Sequence, residues 1–173
     1  RTAILTEEEV PGDGGLWDGL PPFLRTVPQK LFVMGDPPEY EPTPDQSVAA
    51  LAQEAGLTSD EQAYDLLCED DGRALLMLPL FNYTHGNHDV LREQMTHPRA
   101  ALGLGDGGAH CGMICDASLP TYGLTHWARD RSRGPKLPLE SVVQMQTQRT
   151  AQLYGLGDRG TVEVGKRADL NVI

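Results

Sequence analysis

Apolar and polar positions follow no regular period before Thr43 and a clear one after it. Over residues 1–43 apolar side chains are scattered among Pro11-Gly12, Gly14-Gly15, Pro21-Pro22, Pro37-Pro38 and Pro42. Proline fixes φ and removes a donor, so regular elements here must be short. One apolar run, Leu31-Phe32-Val33-Met34, stops at Gly35-Asp36 and predicts a strand. A stretch of this length without further periodicity reads as an irregular excursion packed on something else, or missing its partner.

From Thr43 the spacing is helical. Thr43-Pro44-Asp45-Gln46 supplies an N-cap, a proline at the first helical position and the Gln of a capping box. Val48, Leu51, Ala52 and Ala55 follow as one stripe, and Gly56 is placed to stop the helix. Thr58-Ser59-Asp60-Glu61 opens a second helix with Ala63, Leu66 and Leu67 as its buried side. Asn87 to Met95 predicts a third, with Val90, Leu91 and Met95 inward. Leu139 to Met145 continues through Ala151 and Leu153-Tyr154 as a fourth, closed by Gly155 and Gly157.

The remaining apolar runs predict strands. Ala74 to Phe81, broken only by Pro79, suits a strand buried on both faces of a parallel sheet. Ala100-Ala101-Leu102-Gly103-Leu104 suits a second, and the helix between them makes a βαβ unit. Ligands of such sheets sit at the carboxyl ends of the strands, where Gly105-Asp106-Gly107-Gly108 stands. Thr161 to Val164, a Gly165-Lys166-Arg167 turn and Ala168 to Ile173 predict a β-hairpin. The class is therefore α/β.

Length and charge narrow the picture. The chain has 173 residues, fewer than the roughly 250 of a complete (β/α)8 barrel. Hydrophobic residues make up 39%, enough for a core, and no run of about 18 apolar residues offers a membrane span. The net charge of −11 disfavours nucleic acid and anionic membranes as partners. Residues 1–71 hold sixteen carboxylates against three bases, and residues 72–173 nine against eleven. An acidic first half is a solvated outer surface, or the face of a non-catalytic partner-binding domain. Three cysteines do not make a disulfide scaffold, and with no secretory segment at the start the expected compartment is cytoplasmic.

Candidate chemistry begins with Asp106. A carboxylate among glycines at a strand's end can meet a ligand closely, ligate a hard cation or act as a base on metal-bound water. By itself Gly-Asp-Gly-Gly is also ordinary turn chemistry. His110-Cys111 and Cys115 with His85 and His88 offer zinc donors, but without the paired spacing of a structural site. Buried small cysteines and cleft or capping histidines explain them more simply. Arg129, Arg131, Arg133 and Lys136 beside Trp127 offer a carboxylate fork, with salt bridges or a solvated loop as the simpler reading.

A family pattern runs through the latter half: His97-Pro98, Leu102-Gly103-Leu104-Gly105-Asp106-Gly107-Gly108-Ala109-His110, Leu139-Glu140 with Val142-Val143, Ala151 with Leu153-Tyr154-Gly155-Leu156 and Asp158-Arg159-Gly160, and Gly165-Lys166-Arg167-Ala168-Asp169-Leu170. These blocks resemble the C-terminal part of a metal-dependent amidohydrolase, in the N-acyl-D-amino-acid deacylase (D-aminoacylase) branch; residues 31–96 resemble it more loosely. The resemblance implies a catalytic (β/α)8 barrel followed by strands of a small β-sandwich. Residues 1–43 would be an excursion, 44–155 the last strands and helices of the barrel, and 156–173 a hairpin of the sandwich.

It also implies zinc-dependent hydrolysis of an N-acyl compound, with Asp106 in the metal region as proton shuttle; His110, four residues on, is a further candidate, either contacting substrate at the pocket mouth or a satisfied loop histidine. The family's His-x-His of the first strand and its middle-strand ligands are absent here. The chain therefore reads as a C-terminal segment that depends on the remainder of the barrel upstream and is inactive alone.

Overall fold

Local capping chemistry sets where the helices of the first unit begin. In the computed structural model, which describes all residues except 9–11, 13, 16–17, 104, 106, 108–115 and 173, the chain divides into two units, Arg1–His88 and Asp89–Ile173. In the first, short helices α1 (Thr2–Leu5) and α2 (Leu20–Arg25) and a 3₁₀ turn (Pro28–Lys30) precede strand β1 (Phe32–Val33). The proline-rich start holds only such short pieces.

The Thr43–Gln46 capping box forms, but around a separate 3₁₀ turn (Pro44–Gln46). Helix α3 (Val48–Ala55) takes its own cap from Ser47, whose hydroxyl accepts from the Ala50 N–H at 3.2 Å. Gly56 ends α3 at φ +67, a left-handed conformation that costs a residue with a Cβ more than glycine.

Helix α4 (Ser59–Leu67) starts at the expected Thr58. The Thr58 N–H and hydroxyl both donate to Glu61 Oε2 at 3.0 Å, while Thr58 Oγ1 accepts from the Glu61 N–H at 3.3 Å. The bond from the Thr58 backbone, then that from its hydroxyl, holds the Glu61 carboxyl below the usual carboxylate range. A carboxyl depressed on folding stabilises fully above its unfolded pKa, about 4.3, and loses that contribution as pH falls through the folded value. Thr58→Ala is expected to cost about 1 kcal/mol at neutral pH. Urea melts of wild type and Glu61→Gln should differ at pH 7 and converge in acid.

The first core joins Leu31, Val48 and Leu66, with Leu24, Leu51, Ala63 and Leu76 against it. Ala55 and Leu67, expected on the buried stripes, are exposed.

The sheet differs from expectation. After the single turn α5 (Glu69–Gly72), strand β2 (Leu76–Met77) pairs antiparallel with β1, Phe32 opposite Met77 and Val33 opposite Leu76. Among the described residues no parallel pair forms, and the expected eight-residue buried strand shrinks to two. Pro79 has no N–H to extend the ladder, and beyond it Leu80 is exposed and Phe81 is 82% exposed.

The second unit holds α6 (Asp89–Thr96), α7 (Leu119–Tyr122), a π-helix (Gly123–Asp130), α8 (Leu139–Gln146) and α9 (Gln148–Leu153). Its core is Trp127, Leu137, Val142 and Met145, with Leu91, Met95, Leu102 and Tyr122 packed on it. Helix α6 matches the expected third helix, although Val90 faces solvent. The expected fourth helix divides at Thr147, whose φ −121 and ψ −84 are not helical.

Ala100–Gly103 forms no strand, so the βαβ unit is not present among the described residues. Residues 161–172 form no strand and hold one turn, at 164–165, in place of the expected hairpin: the Lys166 N–H donates to Glu163 O at 3.2 Å and the Arg167 N–H to Asp158 O at 2.8 Å. Val162 and Val164 are 87% and 108% exposed, and without a neighbouring strand their alternation has no ladder to join. Among the described residues no helix is long and apolar enough to cross a membrane.

Candidate functional site

The segment that leads into residues 102–105 lies in the second unit. Helix α6 ends in two turns, the His97 N–H donating to Gln94 O at 3.2 Å and the Ala100 N–H to His97 O at 2.9 Å. Leu102 then packs on the Trp127 cluster. Asp106 itself lies outside the described residues, as do His110, Cys111 and Cys115. Its neighbour Gly107 is described and closely flanked. A Cβ there would lie 2.7 Å from the Ala117 Cβ and 3.3 Å from its Cα, so the chain beside Asp106 passes where a side chain would not fit.

The second unit also holds an aromatic and cationic frame. The π-helix buries His126 and Trp127 on one side. Tyr122 and His126 stack at 4.9 Å with planes 4° apart, and His126 meets Trp127 edge-on at 5.3 Å. The Arg131 guanidinium sits 5.0 Å from the Trp127 ring centroid, donates to Asp89 Oδ1 at 2.7 Å and to Pro135 O at 3.0 Å, and is fully buried. Gly134 makes room for it, since a Cβ there would lie 2.6 Å from an Arg131 nitrogen.

The expected basic patch is thus committed elsewhere. Arg129 donates to both oxygens of Asp130 at 2.6 and 2.7 Å, and those bonds hold the Asp130 carboxyl below its ordinary range and raise Arg129. Lys136 donates to the Arg129 carbonyl. No open Arg fork remains at Arg129 or Arg131.

The other sequence candidates scatter. His97 is exposed, and its Nδ1 accepts from the Arg99 N–H at 3.2 Å, a small local cap. Cys68 is an exposed free thiol. In the first unit Glu41 is 1% exposed and accepts from the His88 N–H at 2.7 Å, while Tyr83 meets the His88 ring edge-on. Sequence reasoning missed Glu41, because nothing in Glu39-Tyr40-Glu41-Pro42 distinguishes a buried carboxylate from a solvated one.

A model of the Amidohydrolase family matches residues 22–173. The chain belongs to the amidohydrolase family. No curated protein and no solved structure gives a significant match. Membership covers the loosely similar first unit as well as the latter half, and implies a hydrolase of TIM-barrel-like α/β fold. To that fold the described residues contribute helices and the β1–β2 pair.

Amidohydrolases typically depend on metal, and zinc held by protein takes at least three protein ligands. Within either unit, the described residues bring at most two such donors together, as at Glu41 and His88, which offer ligand atoms within 4.8 Å of one another. Two donors fall short of a zinc shell. The described residues of neither unit hold zinc by themselves.

Proposed function

We propose that this amidohydrolase hydrolyses the amide bond of an N-acyl-D-amino acid or a related N-acyl compound, with zinc as cofactor. The family match over residues 22–173 carries the reading, because it includes the Leu102–His110 block that resembles the deacylase branch. Asp106 receives the proton of the attacking water and hands it to the departing nitrogen, acting as base and then as acid. His110 touches the substrate at the pocket mouth. Zinc, when bound, polarises the amide carbonyl and makes the water more acidic.

The His-x-His absent from these 173 residues would come from the remainder of the barrel, which makes that portion the partner this chain requires. Amine release from paired N-acetyl-D- and N-acetyl-L-amino acids by the complete enzyme tests the substrate class. Release from the D compound alone is the expected outcome. Equal rates on both, or none on either, would remove the deacylase assignment.

A further inference from the structure

The first unit contains four bases, and three of them already have carboxylate partners. Arg1 pairs with Asp65 and Glu61, Arg25 with Asp60, and Arg73 with Asp70. Lys30 has no ion pair and no side-chain hydrogen bond among the described residues, although the unit around it is strongly acidic. An uncommitted ammonium in such surroundings attracts anions only where something excludes the unit's own carboxylates. The structure shows what lies beside it: a cavity of about 550 Å³, a size suited to a small organic ligand.

The lining of that cavity is chemically divided. Lys30, Gln29, Thr84 and His85 contribute polar side chains, none of which makes a side-chain hydrogen bond among the described residues. Phe32, Pro79, Leu80 and Tyr83 contribute apolar surface, and among the described residues no carboxylate lines the cavity.

Its walls are also fixed in place. The 3₁₀ turn that carries Lys30 is closed by its N–H to Val27 O at 2.8 Å. Phe32 is held in the β1–β2 pair. The Tyr83–Gly86 turn closes at 3.1 Å, and the Tyr83 hydroxyl donates to Pro42 O at 2.7 Å, which pins it across 41 residues of chain.

From this arrangement we propose that the first unit binds a small monocarboxylate with an apolar tail. The Lys30 ammonium receives the carboxylate, with the Gln29 amide and the Thr84 hydroxyl as further donors. The tail lies on Phe32, Pro79, Leu80 and the Tyr83 ring. The Lys30 charge matches one negative charge, and a phosphate dianion would bring a second into a strongly acidic unit. The site stands apart from the deacylase reading and does not depend on it.

Titration calorimetry of the full chain with hexanoate tests it, with hexanamide and inorganic phosphate as comparison probes. Saturable hexanoate binding in the millimolar range is expected, weakened about tenfold or more for hexanamide, which keeps the tail and lacks the charge. Lys30→Met should weaken hexanoate to a similar extent, and Lys30→Arg should retain it. Leu80→Asp, at an exposed position that leaves the core untouched, should also abolish binding by charging the floor. Absence of saturable binding, equal affinity for hexanamide, phosphate binding as tight as hexanoate, or undiminished binding by folded Lys30→Met would each overturn the proposal.

Discussion

Replacing Asp106 with Asn in the complete enzyme is expected to lower kcat by about 10²- to 10⁴-fold, the range that a positioned acid–base group contributes. Asparagine keeps the size and hydrogen-bonding shape of the side chain, so substrate binding and fold should persist while proton transfer is lost. KM should therefore move little beside kcat. Amine release over a range of substrate concentrations measures both. A mutant within a few-fold of wild type would take Asp106 out of the proton path and leave Gly105-Asp106-Gly107 as a turn.

Trp127→Ala should have the largest effect on stability, a loss of about 3–5 kcal/mol, as for other large-to-small core changes. Trp127 is 2% exposed, joins Leu137, Val142 and Met145 in the second core, and supports both the His126 ring and the Arg131 guanidinium. Its removal opens a cavity and withdraws the aromatic face from a buried cation. Trp127→Phe should lose less, because it retains part of the packing and a ring for the guanidinium. Urea denaturation followed by far-ultraviolet circular dichroism reads both variants without relying on the indole. A loss under about 1 kcal/mol for the alanine variant would show that the core is anchored elsewhere.

Signals confined to a few neighbouring residues were legible. Thr58 and Glu61 start α4 where their spacing says they should, and Gly56 ends α3, because caps depend on bonds three or four positions apart. Helix α6 was legible for a similar reason: its stripe is one face of a short helix. Long-range pairing was not. A continuous apolar run has no period, so Ala74 to Phe81 announced burial without saying that Phe32 and Val33 would be its neighbours or that the ladder would be antiparallel. The Val162 and Val164 alternation likewise describes a face that needs a sheet, and cannot supply one.

Functional residues divide along the same line. Asp106 and His110 came from a block of residues that resembles a family, and the family match bears out the coarse assignment to hydrolases. Arg131 was visible only as one of several bases near Trp127. Nothing local separates it from Arg129, yet one guanidinium is buried against an indole and the other lies on the surface with Asp130. That distinction arises from the π-helix and from the room left by Gly134, neither of which is written in the immediate neighbours of the arginine.

The near-contact of Gly107 and Ala117 reaches beyond its own turn. Two strands of chain ten residues apart are kept at a separation that only hydrogen and methyl substituents permit, so positions 107 and 117 are coupled as a spacer of set thickness. A bulkier group at 117 would wedge the two segments apart at position 107. A packing constraint would then fall on an alanine with no chemistry of its own.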